Sequence, residues 1–321
     1  MLQLVNLSNY ISDLELIHNS PDCLQAFLHH HHLDGLEMML CSPWNSRLHR
    51  KEWIEGVHLR FWPNWLDFWR GARKELLRQF GSDQAIEACY GALSREGWLD
   101  IYRQNIRNAK LAGARYAVFH VSQVRTSEIF HWQFAFSDRE IIAAAIEVVN
   151  ALADDIPADM ELLFENLWWP GLTLKDKEVT ALLLAGVKHP KTGIMLDVGH
   201  LMNTNQDLKT QEEGVDYVLG VIEGLEECKS HIRGLHLHYS LSGDYVKQSR
   251  KEEVSRDNSP GEVMSHVLRI DEHLPFSSSS VRKLVNCVQP EYLVHEFMYT
   301  SMNDWSEKVR LQQQALQYKE R

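Results

Sequence analysis

Eight short apolar runs recur along the chain, at residues 2–7, 35–40, 55–61, 114–121, 159–166, 194–196, 232–240 and 291–297. Stretches with helical spacing lie between them. The runs are continuously apolar rather than alternating. Parallel strands read this way, because the helices crossing between them bury both faces of the sheet. Strand and helix in alternation predict an α/β fold, a closed TIM (β/α)8 barrel, with a doubly wound open sheet as the alternative. The chain has neither GxGxxG after the first run nor GxxxxGK[ST], so nucleotide-binding open sheets find no support. No internal repeat or low-complexity linker divides the sequence, and one domain over residues 1–321 is the simplest account.

Local signals place several connections. Ser20-Pro21 opens a helix, and Ser137/Glu140 and Thr210/Glu213 are capping boxes. Residues 97–112 and 304–317 have helical spacing. The connection 62–101 is rich in aromatics, among them Trp62, Trp65 and Trp69, and contains helix of unassigned extent. The charged, serine-rich stretch 243–260 reads as a loop. His29 to His32 reads as a solvated helix C-terminus, where cationic imidazoles suit the dipole.

The formal charge is −11, which argues against a surface that neutralises a duplex phosphate backbone. No apolar run is long enough to span a membrane, and the N-terminus lacks the marks of a signal peptide. The five cysteines are scattered, without CxxC, and read as reduced thiols. A cytoplasmic location is expected.

The polar residues fall at one end of the runs. His58, His120, Glu165, Asp197, His200, His236 and Glu296 each come late in an apolar run or just after it. In an α/β barrel the C-terminal strand ends carry the chemistry. Buried charges are costly unless paired or bound to metal, so seven ligand-type residues on one rim favour a metal site. The segment IMLDVGH illustrates the choice at a single strand end: Asp197 is either a ligand or the cap of the following turn.

The segments LLFEN, IMLDVGH, RGLHLHYS and YLVHEF resemble those of the xylose isomerase-like TIM barrels, the AP endonuclease 2 superfamily. In the sugar isomerases and epimerases of that superfamily one divalent metal is held by Glu, Asp, His and Glu, which match Glu165, Asp197, His236 and Glu296. His200 matches a residue that contacts substrate there. The endonuclease IV branch has three metal sites. The resemblance implies a first site at His58, His120 and Glu165, and a second at Glu165, Asp197, His236 and Glu296. It implies a third at His200, Asp271 and His273. The branch carries His-Leu-Asn-Asp on strand seven, whereas this chain has His236-Leu237-His238-Tyr239. His238 shares a strand face with His236, and either replaces it as ligand or holds a substrate group.

Relatives of the branch include cobamide-remodelling phosphodiesterases. The acidic charge and the tryptophans suit a bulky small molecule better than duplex DNA. The expected function is a metal-dependent phosphodiesterase acting on a small phosphodiester, with Glu165 and Glu296 catalytic and His238, Asn166 and Trp168 toward substrate. Zinc is the first choice of metal, up to three ions, with manganese or iron as alternatives. The rival expectation is a one-metal sugar or sugar-phosphate isomerase/epimerase.

Overall fold

The computed structural model describes residues 1–251 and 259–317. Eight parallel strands close into one barrel in chain order: β1 Leu2–Ser8, β2 Gly35–Met39, β3 Ile54–His58, β4 Tyr116–His120, β5 Glu161–Glu165, β6 Thr192–Asp197, β7 Ile232–Leu237 and β8 Tyr292–His295. β8 pairs back onto β1. This is the expected TIM barrel. β3 is shorter than the run 55–61, because beyond Leu59 the backbone leaves the ladder: the Arg60 N–H donates to the Asn105 side chain at 2.7 Å.

The period of two along each strand sets the layers. Leu4, Tyr116, Val118, Leu163, Met195, Tyr292 and Val294 point inward and fill the barrel. Their strand neighbours Ala117, Phe119, Leu162, Phe164, Leu196 and Leu235 point outward into the helical layer. One step further along the inward parity, His120 stands above Val118, Glu165 above Leu163, Asp197 above Met195 and Glu296 above Val294. The same strands thus supply an apolar floor and a polar rim. Register places the rim residues side by side, His120 opposite Glu165 and Asp197 opposite His236. Gly56 and Gly234 occupy inward positions where a Cβ would overlap the Tyr116 ring and the Met195 sulfur, so each makes room for a large neighbour.

Both capping boxes form, on helices Asp138–Ala151 and Gln211–Gly224. The connection 62–101 contains helix as expected, but the readings of its tryptophans, of the stretch 243–260 and of the histidine run need correction. The connection 62–101 holds helices Leu66–Trp69, Arg73–Phe80 and Asp83–Tyr90 ahead of Arg95–Ala112. Its tryptophans pack against Trp98, with Trp62, Trp65 and Trp69 ring centroids 5.3, 6.2 and 6.2 Å away, rather than presenting flat faces to a ligand. The stretch 243–260 is not all loop. Gly243–Ser249 is a helix because Val246 buries itself in a cluster with Trp168, Trp169 and Ile270; residues 252–258 lie outside the described structure. In the histidine run, His31 is buried and bonded through Nε2 to the Ser306 hydroxyl at 2.8 Å. Burial, with His30 and His32 beside it, pushes its pKa down to about 4, so this imidazole is neutral. Among the described residues no helix is long and apolar enough to cross a membrane.

Candidate metal centre

The C-terminal rim of the barrel gathers three groups of metal-ligand type. They are His58, His120 and Glu165; Glu165, Asp197, His236 and Glu296; and His200, His238, Asp271 and His273, each with one ligand atom per residue within 4.8 Å of the others. Glu165 belongs to two of them. All of the residues expected at the metals from sequence meet here.

Every imidazole of the three groups except His120 is held by a hydrogen bond to a protein acceptor. In the first group the His58 Nδ1–H donates to the Leu59 carbonyl at 3.1 Å, leaving Nε2 at 2.9 Å from Glu165 Oε2. His120 Nε2 lies 3.2 Å from Glu165 Oε1. In the second group His236 turns Nε2 to Glu37, at 2.9 Å from Oε1, and Nδ1 to the rim, at 3.0 Å from Glu296 Oε2 and 3.4 Å from Glu165 Oε1. Carboxylates and carbonyls behind ligand histidines set tautomer and ring orientation in this way. Glu37 sits inward on β2, 2% exposed, and also accepts from the Tyr116 hydroxyl at 2.8 Å. Sequence reading did not single it out. The available signal was a lone carboxylate inside the apolar run GLEMML.

Asp197 is both cap and rim residue. Its Oδ1 accepts from the His200 N–H at 2.6 Å and caps helix Val198–Asn203; its Oδ2 accepts from His238 Nε2 at 2.9 Å. The helix carries His200 onto the rim, where Nδ1 donates to the Asn166 carbonyl at 2.9 Å and Nε2 lies 3.0 Å from Asp271 Oδ2. Asp271 and His273 come from a segment with no barrel strand of its own. The Tyr239–Leu274 bridge ties it to the end of β7, and His273 Nε2 lies 2.7 Å from Asp271 Oδ2.

The electrostatics are those of a compensated buried cluster. Burial by itself would raise Glu165, Asp271 and Glu296, but the imidazoles around them hold all three below the usual carboxylate range. Burial would depress His58, His200, His236 and His273, yet neighbouring carboxylates outweigh it and lift them, His273 to about 9. His120 goes the other way, pushed down by burial.

Protein partners do not satisfy this cluster completely. His120 Nδ1, Glu165 Oε1, His236 Nδ1, His238 Nδ1 and Glu296 Oε2 are buried without a hydrogen bond. Glu165 Oε1 has three imidazole nitrogens at 3.2 to 3.4 Å, none aligned to donate to it. Buried polar groups are nearly always paired, so a carboxylate oxygen ringed by nitrogens without a hydrogen bond fits a divalent cation.

Two substrate-facing expectations change. Asn166 is fully buried; its Nδ2 donates to the Asp197 carbonyl at 3.0 Å and its Oδ1 accepts from the Asp197 N–H at 2.9 Å. It braces β5 against β6 and has no free amide to offer. His238 is also fully buried, is not among the residues lining the cleft, and lies with the third ligand-type group. Trp168 does reach the cleft. Its ring centroid is 5.1 Å from that of His200, and its Nε1 has no hydrogen-bond partner. The cleft over the rim measures about 1370 Å³. His58, His120, His200, Asp271, His273 and Glu296 line its floor, and Phe61, Ile129, Trp168, Trp169 and Val263 are among its apolar walls.

The family described as xylose isomerase-like TIM barrel matches residues 50–281. Among solved structures, endonuclease IV from Thermus thermophilus is 14% identical, covers 98% of this chain and 99% of its own, and superposes with a TM-score of 0.53. A D-tagatose 3-epimerase-like protein is 14% identical over 98% of this chain and 97% of its own, with a TM-score of 0.51. A sugar phosphate isomerase/epimerase from Parabacteroides distasonis is 11% identical over 97% and 92%, with a TM-score of 0.50. No curated protein matches the chain in sequence.

Proposed function

The chain belongs to the xylose isomerase-like TIM barrel family, and on that premise we propose that it is a metal-dependent hydrolase that cuts a phosphodiester in a small molecule, with a cobamide nucleotide loop as the leading substrate class. The observation that carries this reading is the sharing of Glu165 between two ligand groups with a third group alongside. A one-metal isomerase needs only Glu165, Asp197, His236 and Glu296. His58 and Asp271, buried, and His120 and His273, partly buried, would then be surplus polar groups, which cost stability without a ligand.

Bound divalent ions, zinc first for these donors and manganese or iron as alternatives, would supply a nucleophilic water near neutral pH and offset phosphate charge. The protein's own part is orientation and exclusion. Glu165, fully buried, holds the two groups in register; Glu296 has a 14% exposed side chain, lines the cleft and meets the substrate. Trp168 and Phe61 offer aromatic faces beside the rim. The net charge of −11 supports a small molecule over duplex DNA. So does a cleft whose Arg and Lys residues, among the described residues, are only Arg60 and Arg78.

One observation favours a second reading. Glu296 and Glu165 approach His236 Nδ1 at 3.0 and 3.4 Å, a carboxylate pair of the kind that moves a proton α to a carbonyl in a sugar isomerase or epimerase. Elemental analysis of the purified chain beside His58→Ala and Asp271→Ala separates the two. Two or three ions per chain, fewer in both variants, support the hydrolase. One ion, unchanged in both, replaces it with the isomerase.

A further inference from the structure

The three ligand groups differ in how completely protein fills them. The group at His58, His120 and Glu165 has three residues, and the group at Asp197, His236 and Glu296 reaches four only by sharing Glu165 with it, whereas the group at His200, Asp271 and His273 has a fourth of its own, His238. Structural zinc sites are closed by four protein ligands, while catalytic sites keep a position open for water or substrate. We infer that His238 closes the third group into a four-ligand His3Asp site that holds a divalent cation with no position for substrate, leaving the chemistry to the groups that share Glu165. This rests on the multi-ion centre proposed above.

Several observations converge on His238. It is fully buried at the end of β7, two residues beyond His236, with its ring stacked on His273 at 4.0 Å between centroids. The His200 ring lies 5.8 Å away, nearly perpendicular. Its Nδ1 has no hydrogen-bond partner. The other members are oriented from behind: the Asn166 carbonyl holds His200, and the Ser240 hydroxyl donates to Asp271 Oδ1 at 3.4 Å. The chain also reserves space for this ring. A Cβ on Gly199, between Asp197 and His200, would overlap the His238 imidazole. The competing role is a hydrogen-bond donor only, since His238 Nε2 is 2.9 Å from Asp197 Oδ2.

The test uses the full chain loaded with Co2+ or Zn2+, compared with His238→Asn and Gly199→Ala. The second variant keeps the imidazole but takes its space. Two readouts are followed: the ions retained through dialysis against a chelator, and the visible Co2+ absorption, which is strong for four-coordinate and weak for six-coordinate ions. The wild-type chain should retain one ion that outlasts the rest and show the four-coordinate band. Both variants should lose that ion with affinity reduced about 100-fold or more, and lose the band. If the wild type binds two or three ions and His238→Asn keeps them all with the same band, His238 is only a donor to Asp197 and this inference fails alone. A wild type binding a single ion, released by Glu296→Gln, overturns this inference and the multi-ion centre together.

Discussion

Glu37 on β2 accepts through Oε2 from Nε2 of His236 on β7, at 3.1 Å, across the barrel and 199 residues along the chain, with Oε1 2.9 Å from the same nitrogen. That contact fixes which imidazole nitrogen reaches the rim. With Nε2–H committed to the carboxylate, Nδ1 is the nitrogen left facing Glu296 and Glu165, the one that would ligate a cation bound there. The Tyr116 hydroxyl donates to the same oxygen, Oε2, at 2.8 Å.

Glu37→Gln keeps the shape but removes the charge behind His236. Metal affinity at the Glu165, Asp197, His236 and Glu296 group should fall about tenfold, and Tyr116→Phe should cost less, since outer partners of ligand histidines are worth about 10–100-fold. Competition with a chromogenic chelator measures both. Unchanged affinity in Glu37→Gln would show that the tautomer is set elsewhere.

Gly56→Ala tests the packing beneath that relay. The new Cβ overlaps the Tyr116 ring, and the ring is enclosed by the barrel core, with Tyr292 at 4.4 Å between centroids. Overpacking of this kind costs about 1–3 kcal/mol. The variant should melt earlier and also bind metal more weakly, because a displaced Tyr116 loses Glu37. A lower Tm with full metal affinity would separate the two effects and refute the coupling.

Part of the acid sensitivity should arise outside the ligand-type groups. Burial pushes His49 and His31 down to about 4 and His295 to about 3, against an ordinary value of 6.5. All three are neutral in the fold, while the unfolded chain takes up protons first as pH drops. Their stabilisation is therefore complete above about pH 6.5 and is lost as pH falls through about 4. His49 is the clearest probe, being fully buried with neither ring nitrogen bonded. His49→Leu should be more stable than wild type at pH 5 by about 1–3 kcal/mol, with a smaller gain at pH 8. Denaturant midpoints at the two pH values decide it; an equal shift at both would remove the titration argument.

Arg60 is the cleft cation with no paired carboxylate among the described residues, its guanidinium lying 4.7 Å from the Trp62 ring centroid; Arg78, by contrast, is bound to Glu75. A substrate with an anionic group besides the scissile diester should use it. Arg60→Gln should raise KM for such a substrate about tenfold, the scale of one charge-assisted hydrogen bond, and leave kcat and a minimal aryl phosphodiester unaffected. Equal losses for both substrates would place Arg60 at the reacting phosphate instead.

The strand ends show what could be read in advance. Glu165, Asp197 and His236 each follow an inward residue by two positions, so their convergence on one rim is inherent in the pattern once the barrel closes. The two capping boxes were equally local, needing only residues three apart. Glu37 was harder, because an apolar run with one carboxylate says nothing of its partner across the barrel. The helix Gly243–Ser249 was hidden by its polar composition, which only the burial of Val246 against Trp168 and Ile270 overrides.

By itself the sequence determined the order of strands and helices, the parity of the inward residues and the ligand types on the rim, all consequences of short-range periodicity. The tertiary structure alone decided that Asp197 caps with one oxygen and faces the rim with the other. It alone placed His238 with His200 rather than on the cleft floor, and turned Asn166 into a brace between strands. Those roles depend on distances between residues from different strands. Barrel closure and the packing of side chains set such distances, and no local pattern encodes them.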